Sequence, residues 1–185
     1  AYAFARFDFP GKEWFFRALL LGLMIPSMML IIPQFVLTKQ LHLIDNLWAL
    51  VLFYVSGNLA LNTFLLRSFF EGIPRELDEA MEVDGANVWT RYWRLAMPLA
   101  RPALATTVIF TFLATWDEFA WALTVISTET KRTLPIAIQL FHGQNSTQWG
   151  LVFAASLIAI LPVIVVYLIF QRHFVAGLTA GAVKG

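Results

Sequence analysis

The sequence contains no cysteine, which rules out a disulfide framework and any thiolate metal site. Charge is scarce as well. Asp, Glu, Lys and Arg make up 14% of the 185 residues, against about 25% in soluble domains. The net charge is only +1 and no Lys/Arg-rich tract or arm occurs, so the electrostatic footprint of a nucleic-acid binder is missing. There is no phosphate loop of the G-x-x-x-x-G-K-S/T kind, and hence no ATP-binding motif in this chain. His42, His142 and His173 are scattered, and no pair has metal-ligand spacing. Neither a metal site nor a catalytic constellation is expected. The chain begins at Ala1 with no initiator Met and no cleavable-leader pattern, so its true start is expected upstream.

What the chain has is apolar residues, 59% of the total. A membrane helix needs roughly 20 mostly apolar residues to cross about 30 Å of hydrocarbon. Four stretches meet that length: Ala18–Leu37, Ile44–Leu66, Ala103–Ile126 and Trp149–Phe170. Pro26, Pro33 and Pro162 fall inside them, which a bilayer tolerates when neighbouring groups satisfy the freed carbonyls. A large soluble protein is a poor alternative, because four such stretches leave no polar layer to cover them. The expected fold is therefore an all-α polytopic bundle.

Lys and Arg concentrate on the cytoplasmic side of membrane proteins. Ten of the 13 here fall in segments on one side, namely the start of the chain, the insert 67–102 and the C-terminal tail. Lys39, Lys131 and Arg132 fall on the other. Both ends of the chain and the insert are thus expected to face the cytoplasm. Trp14, Trp48, Trp121 and Trp149 lie near span ends, as an interfacial aromatic belt requires.

The insert carries its own helix signals. Pro74 suits a first helical position, and Glu76, Asp78 and Glu79 complement the positive end of the helix dipole. Gly85 reads as the stop, because glycine reaches the left-handed conformation cheaply. Leu77, Ala80 and Met81 form a narrow apolar ridge with no evident partner inside the chain, opposite Arg75, Glu79 and Glu82. Asn87 reads as the cap of a second helix holding Trp89, Tyr92, Trp93 and Ala96, with Pro98 and Pro102 punctuating the entry into the third span. A solvated loop needs none of this order. A knob for a partner's groove does.

The pattern Glu79-Ala80, then Gly85, then Leu95, Met97 and Pro98 resembles the signature loop of binding-protein-dependent ABC importer permeases. Asp84-Gly85-Ala86, Pro98-Leu99 and the tail from Phe170 to Gly185 resemble the carbohydrate-uptake, maltose-type branch. Tyr2 to Arg6 with Phe9-Pro10-Gly11-Lys12 is similar to the segment before that family's third helix. Met81 and Met97 stand where the family more often has alanine and leucine. The resemblance implies about four of some six spans, with about two more helices upstream. It implies that Glu76–Ala86 is a helix coupled to an ATPase subunit, with Glu79, Ala80, Asp84, Gly85, Ala86 and Pro98 as its docking and coupling residues. It also implies the partners: a second homologous permease, two ABC ATPase subunits that use ATP and Mg, an extracytoplasmic solute-binding protein, a sugar and the bilayer. The location implied is the bacterial inner membrane.

Polar residues within spans are functional candidates because lipid makes them costly. Asn58 and Asn62 lie in the second span, Trp116, Asp117, Glu118 and Trp121 in the third. If the third span is one helix, Asp117 and Trp121 are i,i+4 neighbours, and with Trp116 they offer an aromatic-plus-carboxylate surface suited to sugars. The same acids equally suit the outer water boundary or an ion pair with the partner permease. For Asn58 and Asn62 an interhelical hydrogen bond is expected ahead of substrate contact. The loop Ser127–Gln148, with Gly143 to Ser146, is long enough to meet a binding protein. Rival readings are a permease for a non-sugar solute, an ion-coupled secondary transporter, and an intramembrane enzyme. Adjacency of Asp117 and Glu118 argues against an acid dyad, since neighbours on a helix point about 100° apart.

Overall fold

The computed structural model describes residues 1–143 and 146–182, with the side chains of the last helix described as far as Gln171. Gln144, Asn145 and the tail 183–185, invoked above, lie outside the described residues. The helices in chain order are α1 (Tyr2–Arg6), α2 (Lys12–Leu21), α3 (Ile31–Gln40), α4 (Leu47–Glu71), α5 (Arg75–Val83), α6 (Val88–Arg91), α7 (Met97–Leu99), α8 (Arg101–Trp116), α9 (Ala120–Val125), α10 (Leu134–Gln139) and α11 (Trp149–Ala182). The expected all-α class is what the chain adopts. Among the described residues, two helices are individually long and apolar enough to cross a membrane, Leu47–Glu71 and Trp149–Gln171. The number rises to four if α2 with α3, and α6–α7 with α8, each count as one interrupted span.

Two expected spans are thus interrupted, for identifiable reasons. The first leaves α-helical geometry after Leu21 and passes through short 3-10 turns at Gly22–Met24 and Ser27–Leu30. Pro26 has no N–H and pushes Ile25 out of the α region. Pro33 breaks nothing, because it stands in the first turn of α3 where its N–H would have no partner anyway. The third runs as α8 only to Trp116, and residues 117–119 separate it from α9. The second begins at Leu47 rather than Ile44, since Asn46 Oδ1 accepts from the Trp48 N–H at 3.0 Å and caps the start. The fourth continues past residue 170 with Pro162 inside it.

The chain divides into two compact units. The first contains Ala1–Met24 and Leu59–Phe110. Its core joins Ala5, Phe70, Ile73, Ala96 and Ala100, with Tyr2, Leu66, Phe69 and Leu104 packed against it. The alanines let backbones approach, and Tyr2 sets its ring against Phe70 at 5.4 Å and Tyr92 at 5.1 Å. Arg67 ties α2 to α4: it reaches Glu13 and Glu71 at 2.7 Å each and lies over the Phe16 ring at 4.0 Å.

The second unit contains Ile25–Asn58 and Thr111–Ile169. Ala49, Leu50, Trp121, Ala122, Val125, Ile126 and Ile136 form its core. A polar lock stands beside it. Asp45, at φ +56°, accepts from the N–H groups of Ser127 (2.9 Å) and Thr128 (2.8 Å) and from the Thr128 hydroxyl (2.6 Å), and pairs with Lys131 Nζ (2.9 Å). Its own N–H donates to Val125 O. Left-handed backbone at a non-glycine residue is costly, though least so for Asp and Asn, and it persists only where contacts over-determine it. The sequence reading placed Asp45 inside a span and missed this role.

The Thr128 hydroxyl, then the Thr128 N–H, Lys131 and the Ser127 N–H, hold the Asp45 carboxyl well below the usual carboxylate range. A depressed folded pKa gives stabilisation that is complete above the unfolded value, about 4, and is lost only as pH falls through the lower folded value. The stability advantage of the wild type over Asp45→Ala is therefore expected to stay constant from pH 7 to 5 and to shrink only below about 4. Thermal unfolding in detergent across that range checks it; an advantage that grows on acidification contradicts the lock.

Candidate functional site

The insert turns out of α4 through Gly72, whose N–H reaches Phe69 O at 3.0 Å, and through buried Ile73. Pro74 is the cap residue, with ψ 135°, not the first helical residue expected; the helix begins at Arg75. Glu76 and Asp78 occupy its first turn, where their charge favours the dipole. At the other end the Ala86 N–H bonds Met81 O and the Gly85 N–H bonds Glu82 O, both at 2.9 Å, with Gly85 at φ +79°. That is the two-bond glycine cap anticipated from Gly85. A Cβ built on Gly85 meets nothing within 4 Å. The backbone conformation alone therefore calls for glycine there.

No residue of α5 is buried. Glu79, Ala80 and Asp84 are exposed, Leu77 is exposed, and Val83 at the tip is 89% exposed. Met81 and Ala86 are half-buried, so the apolar ridge continues through Val83 rather than Met81. Two ion pairs hold the helix. Glu82 pairs with Arg91 of α6, and Asp78 Oδ2 lies 3.2 Å from Arg6 Nε of α1.

Asn87 caps α6 as expected, its Oδ1 accepting the Thr90 N–H at 2.9 Å. Among the aromatics of the insert, Tyr92 packs against Tyr2 of α1 at 5.1 Å. Trp89 (71%) and Trp93 (59%) stand exposed beside α5's exposed side chains in sequence. From Tyr92 to Ala96 the helix widens into a π turn, with the Met97 N–H reaching Tyr92 O five residues back. Such turns are rare and concentrate where a helix must change register. Pro98 is exposed just beyond, and α8 leaves at 70° to the preceding segment.

The intramembrane candidates are distributed otherwise than helical spacing implied. Residues 117–119 are not helical, so the i,i+4 relation of Asp117 to Trp121 does not hold. Trp121 is 5% exposed and packs edge-on to Phe53 at 4.8 Å in the core. Trp116 donates to Ala159 O at 3.1 Å and stacks on Phe112. Asp117 is exposed. Glu118 is half-buried and fully engaged: it accepts the N–H groups of Trp121 (2.7 Å) and Ala122 (3.0 Å) and the Tyr54 hydroxyl (2.8 Å). It thereby caps α9 and ties it to α4. The expected single surface of Trp116, Asp117 and Trp121 does not form. Asn58 donates its amide to Tyr54 O at 2.9 Å within its own helix, where an interhelical bond was expected. Asn62 is half-buried on the same helix.

Residues 1–180 match the family described as binding-protein-dependent transport system inner membrane component. The whole chain aligns at 35% identity with the probable ABC transporter permease protein YurM of Bacillus subtilis, covering 62% of that protein. It aligns at 39% with the trehalose transport system permease protein SugB of Mycobacterium tuberculosis, covering 68% of it. A third relative, the trehalose/maltose transport system permease protein MalG of Thermococcus litoralis, is 37% identical with 67% covered. In each case 100% of this chain is used. The chain spans about two thirds of the length of these relatives.

Glu118→Gln leaves one strong acceptor where three donors converge, and is expected to destabilise the fold by about 1–3 kcal/mol, with Tyr54→Phe costing less. Thermal unfolding in detergent measures both. A Glu118→Gln protein with native stability but no solute uptake would instead assign the carboxylate to the solute path.

Proposed function

The chain belongs to the family of binding-protein-dependent transport system inner membrane components, and from that membership we propose that it is the translocating part of an ATP-driven ABC importer permease for a sugar or oligosaccharide. The observation that carries this reading is α5. A capped helix with no buried residue presents Glu79, Ala80, Leu77 and Val83 outward, which is the shape of a peg for another protein's groove. The occupant is an ATPase subunit, two of which use ATP and Mg outside this chain. A second permease completes the path, and a solute-binding protein delivers the substrate from the far side. Trehalose and trehalose/maltose in the names of relatives support a sugar.

The permease sits in the bacterial inner membrane, with the insert and both ends of the chain on the cytoplasmic side by the distribution of Lys and Arg. The permease catalyses nothing itself. Closure of the ATPase pair displaces α5, the Glu82–Arg91 ion pair passes the motion to α6, and the π turn and the bend at Ala100 deliver it to α8. Rocking of the bundle then alternates access to the solute path. Asp117, exposed at the break after α8, is the first candidate for sugar contact, with Trp116 and Glu118 beside it in sequence; Asn58 and Asn62 of α4 are separate candidates, and Trp121 enters only as part of the core beneath. An acid–base role for Glu118 is disfavoured, because its oxygens already serve three donors.

In the full-length permease assembled with its partners, Glu79→Lys is expected to abolish uptake while membrane insertion stays normal. Normal uptake in that variant, measured with radiolabelled solute, contradicts docking through this face. Gly85→Ala and Gly85→Leu share one backbone penalty of about 1–2 kcal/mol and meet no internal clash. An additional loss of uptake in the Leu variant therefore reports a partner surface pressed against Gly85; equal uptake in the two places the partner elsewhere.

A further inference from the structure

A helix without a fully buried residue has little packing to set its bearing, yet a peg that transmits force needs one. Of the two ion pairs on α5, Glu82–Arg91 is local and joins segments that follow each other directly. The other is not. Arg6 stands 67 residues before Ile73, whose carbonyl oxygen accepts from Arg6 Nη2 at 2.7 Å. The same guanidinium brings Nε to 3.2 Å from Asp78 Oδ2, an ion-pair approach without hydrogen-bond alignment. One side chain thus holds both the carbonyl just ahead of the helix cap at Pro74 and a carboxylate in the helix's first turn.

Arg6 is itself anchored. Its side chain is 8% exposed, Ala5 beside it is buried in the core, and Tyr2 packs on Phe70 and Tyr92. A guanidinium is suited to this double duty because its planar fork offers several donors in fixed directions. Keeping a charge so far from water carries a desolvation cost that a lysine on the surface would avoid. Nothing about α1 alone requires it.

We propose that Arg6 is a positioning residue that clamps the first turn of α5 to α1, so that a push on α5 moves α1 and the α4–α5 elbow with it. The clamp's role in transport rests on the docking reading above; its mechanical role does not. The test uses the full-length permease in its assembled transporter in lipid, with spin labels at Ala3→Cys and Arg75→Cys, both exposed positions on α1 and α5, uptake and ATPase capture being measured on the unlabelled chain. The label-to-label distance distribution and the solute imported per ATP hydrolysed are read in the wild type, Arg6→Gln, Arg6→Lys and Asp78→Asn. Loss of the clamp is expected to roughly double the width of the distribution and to lower uptake per ATP about tenfold in Arg6→Gln. ATPase co-purification stays at the wild-type level, and Arg6→Lys falls between. Should Arg6→Gln not accumulate in the membrane, Asp78→Asn decides alone, since it leaves the bond to Ile73 in place. An unchanged distribution in both Arg6→Gln and Asp78→Asn overturns the clamp, even if uptake falls. A broadened distribution in a permease whose wild type captures no ATPase upholds the clamp and refutes the docking reading.

Discussion

Lipid offers no hydrogen bonds, so each place where a spanning helix is interrupted has to be repaired from within the chain. That constraint organises the second unit. Where α8 stops at Trp116, the N–H groups that open α9 find their acceptor in Glu118, and Tyr54 binds the same carboxylate from α4. Where α9 ends, Asp45 gathers the N–H groups of Ser127 and Thr128. Thr38, Thr115 and Thr124 return their hydroxyls to carbonyls four residues back in their own helices, which keeps those polar groups satisfied in apolar surroundings. Two acids that composition marks as costly thus serve as the joints of the fold.

The insert between α4 and α8 solves a different problem. None of the residues of α5 is fully buried, so packing contributes little to holding it. Its rigidity comes from termini and charge: carboxylates in the first turn, a glycine cap at the end, and arginines on either side at Asp78 and Glu82. Exposed ion pairs are weak in general. Arg6 and Arg91 escape that rule in part because both guanidinium side chains are largely shielded, at 8% and 16% exposure. Alanines at 96 and 100 then let the π turn and its flanking helices seat against Phe70 and Ile73.

Local signals proved the most legible. The stop of α5, its start to within one residue at Pro74, the Asn87 cap and the all-helical class follow from residue chemistry that acts over a single turn. What the sequence obscured were events decided between distant residues. A run as apolar as Ala103–Ile126 reads as one helix, because nothing in its periodicity reports that Glu118 is better used as a cap than as a spanning residue. Tyr54, 64 positions away, supplies half the reason. Asp45 falls at the edge of an expected span, and the four donors to its carboxylate lie more than 80 residues along the chain. The sugar-facing surface inferred from i,i+4 spacing failed for the same cause: the period was right for a helix, and the helix ends one residue too soon.

By itself, then, the sequence determined the solvent, the helical class, the absence of any nucleotide motif and the capped, exposed helix of the insert, because hydrophobicity and capping are properties of residues and their immediate neighbours. The tertiary structure decided which carboxylates are joints, which tryptophan is core, and how α5 is held. Those outcomes depend on whether a particular donor meets a particular acceptor, and only the folded chain brings Arg6 to Asp78 or Tyr54 to Glu118.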